Sequence, residues 1–344
     1  MKSSYFILLL IFIVACKKED IYNSNDSNIF KFKYKIGVSY ESNDFTDNIV
    51  SFIKERYDFI HDNINDKIGL ELKPTEEGDQ LKDIDYFINN NFDIVLIYLN
   101  SEKDSSLIIQ KLINHNIPAV FFHMQISDQD IKLWNKIFYV GIKLEQPAIL
   151  QGQLVKEYWD FIGNNVDKNK NGRLDYIMLT GKPNSDSFFR TKYPIIYLNN
   201  HKIKTKLLEL SYSEWEKDIA ANNMKKVIEK YGDEIEFVIA NNDNMALGAI
   251  DALKEYGYFK NDKYMPVIGV DATSDAIKSI KKGEMYATIQ YDFRKVGTNT
   301  FNIAYALLEN KNITDYIKKD GSEGTFKNNK NIIDYKIIKG LTKQ

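Results

Sequence analysis

Phe237-Val238-Ile239-Ala240-Asn241-Asn242-Asp243-Asn244-Met245-Ala246 is the stretch that decides the fold. A short run of apolar residues breaks into a polar trio, and a helical pattern then runs over 245–256. An apolar run without polar alternation predicts a strand covered on both faces, as in a parallel sheet flanked by helices. The polar trio stands where that strand ends and a helix begins. In open α/β sheets this carboxyl-end position is where ligands bind.

The same unit recurs in both directions. Upstream, strands are expected at 34–39, 70–72, 93–98, 119–122 and 137–140. Between them lie a helix marked by Ile49, Ile53, Tyr57 and Ile60, and helices over 81–88 and 106–114. After residue 144 the alternation restarts, with helix 148–162, strands 176–180 and 206–210 and helix 219–231. The strand at 236–240, helix 245–256, strands 267–270 and 287–289 and helix 296–308 follow. Two such runs in tandem predict an α/β protein of two doubly wound parallel-sheet lobes with a cleft between them.

Residues just after the strands form a consistent set. They are Asn43, Asp44 and Phe45; His123; Asn184, Asp186 and Arg190; Trp215; Asn242 and Asp243; Asp271; and Tyr291. Carboxylates accept from hydroxyls, arginine donates as a rigid fork, and aromatic faces cover the C–H faces of a sugar ring, so the set suits a polyhydroxylated ligand. Each member also has a plainer reading. Asp243 is favoured as a helix cap, Asn242 reads equally as cap or ligand group, and Asp44 and Asp271 stand where helices begin. Phe45 and Trp215 also read as core, and Arg190 as a surface ion-pair partner.

A second motif is Asp167-Lys168-Asn169-Lys170-Asn171-Gly172-Arg173-Leu174-Asp175. It places side-chain oxygens at loop positions 1, 3, 5 and 9, a glycine at position 6 and the Arg173 carbonyl at position 7, a pattern that wraps a hard cation such as Ca²⁺. An EF-hand needs a glutamate at position 12, where this chain has Met178 inside an expected strand. The loop therefore takes its closing carboxylate from elsewhere, or it is a solvated turn.

Lys2, the apolar run 6–14 and Ile13-Val14-Ala15-Cys16 describe a secretory signal over 1–15. Cys16 is the only cysteine of the 344 residues, which excludes a disulfide framework. Its place after Ala15 resembles a bacterial lipobox, with lipidation anchoring the protein at the periplasmic or cell-surface side of a membrane. A plain secretory signal or an uncleaved anchor is the alternative. Residues 16–32 read as a flexible tether. A net charge of −2 with interspersed signs offers no basic face for nucleic acid.

Ile36-Gly37-Val38, Ile117-Pro118-Ala119-Val120-Phe121-Phe122, Tyr139-Val140-Gly141, the stretch 238–246 and Gly269-Val270-Asp271-Ala272 together resemble periplasmic galactose/glucose-binding proteins, in unbroken order from about 34 to 340. The resemblance implies a type I periplasmic-binding fold, with lobes 33–143 plus 292–322 and 144–291 plus 323–341 joined by three crossovers. It implies that Asp186, Arg190, Asn242 and Asp271 bind hydroxyls and that Phe45 and Trp215 stack on the sugar. Asn43 or Asp44 falls on the acidic position that reads its O4. It also implies that Glu236 closes a calcium site with Asp167, Asn169, Asn171, Arg173 and Asp175. His123, Asn184 and Tyr291 depart from the family's asparagine, histidine and asparagine. The implied protein is a monomeric, non-enzymatic receptor that hands a monosaccharide to an ABC permease of the inner membrane, with a chemoreceptor as a further partner. A degenerate receptor or sensor for another small ligand is the second reading. A glycosidase using Asp186 and Asp271 is the third, supported only by two acids in one cleft.

Overall fold

The computed structural model describes residues 32–63, 67–75, 79–162, 167–261, 263–319 and 324–340. The expected signal segment, Cys16 and all of the tether except Phe32 lie outside the described residues. No helix among the described residues is long and apolar enough to cross a membrane.

The chain runs β1 (Tyr34–Glu41), α1 (Asp44–Asn63), β2 (Ile68–Thr75), α2 (Gln80–Asn89), β3 (Ile94–Ile97), α3 (Ser105–Asn114), β4 (Ala119–Phe122), α4 (Asp128–Lys132) and β5 (Ile137–Gly141). It continues through α5 (Glu145–Ile162), β6 (Leu174–Thr180), α6 (Ser185–Asn200), β7 (Thr205–Tyr212), α7 (Lys217–Tyr231), β8 (Phe237–Ala240), α8 (Asp243–Glu255), β9 (Val267–Ile268), α9 (Ser274–Lys281) and β10 (Ala287–Gln290). Last come α10 (Phe293–Leu308), α11 (Ile313–Lys319), β11 (Thr325–Lys327), β12 (Lys330–Ile332) and β13 (Lys336–Lys339).

Two mainly parallel sheets result, ordered β11-β12-β5-β4-β3-β1-β2 and β13-β10-β9-β8-β6-β7. Among the strands of the described residues, the β11–β12 and β10–β13 pairings are the antiparallel ones. Every residue of β3, β4 and β8 is buried, as their unbroken apolar runs require. Alternate side chains go to opposite faces. Ile94, Leu96, Val120 and Phe122 join one core, whereas Val95, Ile97, Ala119 and Phe121 join the other. In the second sheet, Met178, Phe237 and Ile239 alternate in the same way with Ile177, Val238 and Ala240. Each large side chain so buried contributes about 1.5–3 kcal/mol.

The chain passes between the sheets after β5, after β10 and after β12, giving three crossovers near 142–144, 291–292 and 333–335. The last comes later than the sequence reading placed it. β11 and β12, expected in the second lobe as part of 323–341, belong to the first sheet, where Asn331 lies opposite Val140 of β5. Both are three-residue strands with lysines at their ends, so no apolar run marks them, and their partner is remote in sequence.

Candidate functional site

The carboxyl ends of both sheets face each other across the cleft. On the second lobe, Asn184 caps α6, its Oδ1 accepting from Ser187 N at 2.8 Å. That cap places Asp186 in the first turn and Arg190 one turn later on the same face. Arg190 donates Nη1 to the Asn241 carbonyl at 2.8 Å. Its guanidinium also stands 3.7 Å from Asp186 Oδ2, 3.7 Å from Asp271 Oδ1 and 3.5 Å from the Tyr335 hydroxyl. Burial works against the arginine charge, but Asp186, Tyr335 and Asp271 outweigh it and hold its pKa above the ordinary value. Burial likewise pushes the Asp271 carboxyl well up, with Arg190 opposing and Asp243 and Asp186 adding to the rise.

Asp271 reaches the cleft on strained backbone, with φ of 118° there and 56° at Ala272. Asp243 braces this turn. Its Oδ2 accepts from Thr273 N at 2.8 Å and its Oδ1 from Thr288 Oγ1 at 2.6 Å. Asp243 is therefore not the cap expected for α8. That role belongs to Asn242, which accepts from Met245 N at 2.9 Å while donating Nδ2 to the Trp215 carbonyl at 3.2 Å. The cap of α9 is Thr273 rather than Asp271. Burial raises the Asp243 carboxyl to about 7, with its hydrogen bonds from Thr288 and Thr273 opposing. Trp215 is half-buried and packs against Gly181, where an added Cβ would fall 2.0 Å from the indole.

The first lobe presents aromatic rings. His123 follows β4 with a left-handed φ of 62°, a conformation braced by Tyr139, whose hydroxyl donates to the His123 carbonyl at 2.7 Å. Its Nδ1 lies 2.9 Å from the Tyr291 hydroxyl and its Nε2 lies 3.6 Å from Asp186 Oδ2 across the cleft. Tyr98 stacks on the imidazole at 5.6 Å and Phe45 tilts against it at 4.5 Å. Burial lowers the imidazole pKa to about 4; Asp186 opposes this and Arg190 adds to it. The ring is thus neutral near pH 7, with Nδ1 accepting from Tyr291 and the proton on Nε2 toward Asp186. Burial also holds the Tyr291 and Tyr335 hydroxyls well above the ordinary phenol value.

Of the expected ligand residues, the structure gathers Phe45, His123, Asp186, Arg190, Asp271 and Tyr291, with Trp215 beside Arg190 at 5.9 Å. Asn43 and Asp44 are exposed, and Asn43 Oδ1 is taken by the Phe45 and Thr46 amides at 3.1 Å each. Asn184 is exposed and capping, and Asn242 has both ends of its amide bonded. Tyr98 and Tyr335 went unread in the sequence. Tyr335 lies at the third crossover, and an aromatic residue at a chain crossing next to a cleft was the available signal. Within the Asp186, Asp271 and Arg190 cluster, the buried atoms Asp186 Oδ1, Asp271 Oδ1 and Arg190 Nε have no hydrogen-bond partner.

The loop 167–175 turns at Gly172, with φ of 74°. Asp167 accepts from the Asn171 and Gly172 amides at 2.8 Å each. Glu236 accepts from Lys168 N at 2.7 Å and Asp175 N at 2.8 Å, tying both ends of the loop to the start of β8. Asp175 is held by Arg173 Nε at 2.8 Å and by the Asn169 and Asn171 amides at 3.1 and 3.0 Å. Burial, with Asp175 and Asp167 adding, raises the Glu236 carboxyl, while the two amide bonds oppose the rise. The donor chemistry fits a hard cation. Among the described residues no three His, Cys, Asp or Glu side chains are gathered to hold a metal, so the amides and the Arg173 carbonyl would have to complete the shell.

A family model described as a periplasmic binding protein domain matches residues 40–312. The chain is 28% identical over 288 residues to the D-galactose/methyl-galactoside binding periplasmic protein of Haemophilus influenzae, covering 83% of this chain and 84% of that protein. Its structure is similar to that of an ABC transporter solute binding protein from Bacillus halodurans with bound myo-inositol, at a TM-score of 0.70 and 20% identity over 90% of this chain and 95% of that one. A periplasmic solute binding protein from Actinobacillus succinogenes with bound D-allose gives a TM-score of 0.70 at 19% identity, over 89% and 98% of the chains. At these identities the two solved structures speak for the fold.

Proposed function

Since the chain belongs to the periplasmic binding protein domain family, a family of binding proteins and not of enzymes, we propose that it is the solute-binding component of an ABC-type sugar transporter and captures one monosaccharide. The observation that carries this reading is the set of unpartnered buried atoms on Asp186, Asp271 and Arg190. Two sugar hydroxyls would donate to the aspartates, and a third oxygen would accept from Arg190 Nε. A buried polar atom left unpaired costs about 1–3 kcal/mol, so a ligand that satisfies all three favours the closed form by several kcal/mol. Binding is then a population shift toward closure, because only the closed lobes bring His123 and Phe45 up to Asp186 and Arg190. Isothermal titration of the full-length protein with monosaccharides tests it. One-to-one binding supports the reading, and a folded protein that binds none refutes it.

D-glucose and D-galactose come first in that test, because Asp186, Arg190, Asn242, Asp271, Phe45 and Trp215 match positions the resemblance assigns to such a hexose. The second reading, a receptor for a different small ligand, is favoured by the direct contact of Tyr291 with His123, which occupies the first-lobe wall.

Ca²⁺ is proposed for the loop 167–175, held by Asp167, Asn169, Asn171, the Arg173 carbonyl, Asp175 and Glu236. The ion would supply positive charge to Asp167, Asp175 and Glu236, which would draw in around it as Arg173 and the two amides release Asp175. Cys16 is proposed as the lipidated anchor that holds the protein on the periplasmic or outer surface of a membrane, with a transmembrane permease and a chemoreceptor as partners. Mass spectrometry of the membrane-extracted chain, showing a diacylglyceryl Cys16 and loss of residues 1–15, tests the anchor.

A further inference from the structure

The unpartnered atoms of Asp186, Arg190 and Asp271 all belong to the second lobe. The first lobe holds a further unsatisfied side chain, Asn100, just past the carboxyl end of β3. Asn100 is half-buried, but both polar atoms of its amide, Oδ1 and Nδ2, are buried and neither has a hydrogen-bond partner. No other side chain among the described residues leaves two buried polar atoms in that state.

The main chain around Asn100 is held without help from that amide. Tyr98 N donates to the Ser39 carbonyl at 3.0 Å, one residue past the β1–β3 ladder. Buried Gln80 then stands in for a strand. Its Nε2 donates to the Tyr98 carbonyl at 2.6 Å and its Oε1 accepts from Asn100 N at 3.0 Å. Bonds from one side to the carbonyl of 98 and the amide of 100 are those of extended backbone, so the alternation of β3 carries on to Asn100. Ile97 and Leu99 join the core on one face of the sheet, while Tyr98 packs on the other and stacks on His123 at 5.6 Å. Asn100 therefore shares the side of Tyr98. Burial raises the Tyr98 hydroxyl above the ordinary phenol value and Asp186 adds to the rise, so this side of the strand end feels the charge across the cleft.

A side chain that holds nothing in place, with donor and acceptor both unpaired, is not accounted for by the fold. A buried amide in that state destabilises the closed form. Its neighbours in the first-lobe wall are engaged elsewhere, Asn43 Oδ1 by the amides of Phe45 and Thr46 and His123 Nδ1 by Tyr291. The missing partner must donate to Oδ1 and accept from Nδ2. Hydroxyls do both, whereas a carboxylate or phosphate only accepts and an ammonium only donates.

We propose that Asn100 is the polar ligand contact of the first lobe, reading a hydroxyl on the edge of the ligand opposite the one held by Asp186, Arg190 and Asp271. This contact rests on the monosaccharide reading above and deepens it. It gives the ligand a polar hold on each lobe, which couples binding to closure, and it requires the edge facing the first lobe to be uncharged and hydroxyl-bearing.

N100L keeps the outline of the amide and removes both polar atoms, and N100A serves should leucine not fit. Full-length wild type and both variants are titrated calorimetrically with D-glucose, D-galactose, D-ribose, D-xylose and L-arabinose, then with monodeoxy analogues of the sugar bound most tightly, and are melted without ligand. Both variants are expected to bind that sugar about tenfold or more weakly, without a matching loss of melting temperature. One deoxy analogue should cost the wild type about tenfold in affinity and the variants less than about threefold, because the hydroxyl it lacks has already lost its partner. Affinity within about threefold of the wild type in whichever variant folds, or deoxy penalties that persist unchanged in it, overturns the Asn100 contact and leaves the monosaccharide reading standing. Loss of folding in both variants makes the side chain structural and overturns the contact as well. A cooperatively melting wild type silent toward all five sugars overturns the monosaccharide reading, and the contact with it.

Discussion

Glu236→Gln isolates the clamp that closes the loop 167–175. The carboxylate accepts two backbone amides, Lys168 N and Asp175 N, and Glu236 is itself buried. Glutamine is nearly isosteric but has one oxygen, so whichever way it turns, its NH₂ group faces one of these amides. That leaves one buried donor unpaired, at about 1–3 kcal/mol. Losing the charge removes repulsion from Asp167 and Asp175, so the lower half of that range is expected without calcium. For a chain of this size the melting temperature should fall by about 1–2 °C per kcal/mol. Calcium widens the gap. At a hundredfold excess over Kd, an ion that binds only the folded state adds about 2.7 kcal/mol to the wild type, and most of that is lost without the Glu236 charge. The assay is thermal melting of both proteins in EGTA and in calcium. A variant that melts with the wild type in EGTA would refute the clamp. A variant that gains as much from calcium as the wild type, or a wild type that gains nothing, would refute the calcium site.

Three further outcomes follow from the packing and charge of the cleft. Gly181→Ala puts a methyl group 2.0 Å from the Trp215 ring, so the indole must shift at a cost of about 1–3 kcal/mol. Tryptophan emission should move and monosaccharide affinity should fall more than tenfold; unchanged emission would show that the ring already has room. His123, lowered to about 4 by burial, makes the unfolded chain bind more protons than the folded one between about pH 4 and 6.5. Its contribution is complete above about 6.5 and is lost as pH falls toward 4, on the order of 3 kcal/mol. Asp243, raised to about 7, acts in the opposite sense, its contribution being present at low pH and lost as pH rises from about 4 to 7, with Asp271 pulling the same way. The wild-type pH–stability curve should thus be shallow across this window. In urea titrations H123N should lose stability with rising pH, and D243N should show a more positive slope than the wild type; parallel curves for all three proteins would contradict both assignments.

The fold was legible because its central strands are buried on both faces. The 119–122 strand matches β4 residue for residue, and the alternation on either side of residue 144 gave both lobes. α6 was not read as a helix, although two of its residues were chosen for the site; Pro194 and a mixed polar run hide its period. The polar strand-end residues proved harder to sort. An asparagine at such a position is equally able to cap the next helix or to meet a ligand, and Asn43, Asn184 and Asn242 all cap. Asp186, Arg190 and Asp271 were singled out by their places after strands and by the family resemblance, and the structure brings the three together. Tyr335 was out of reach because its position depends on where the last crossover falls, which the short lysine-bearing strands before it conceal.

The late return of the chain to the first sheet has a consequence for biogenesis. β12 covers the edge of β5, and β13, just beyond the same crossover, covers the edge of β10. Residues 325–339 therefore finish both sheets, and neither sheet is complete until that segment has emerged from the ribosome. Until then two strands whose residues are mostly buried in the finished protein, Ile137–Gly141 and Ala287–Gln290, each carry an unpaired edge of the kind that nucleates aggregation. A chain lacking residues 325–339 would not yield one sound lobe and one damaged lobe. It would yield two lobes, each with an open and adhesive strand edge.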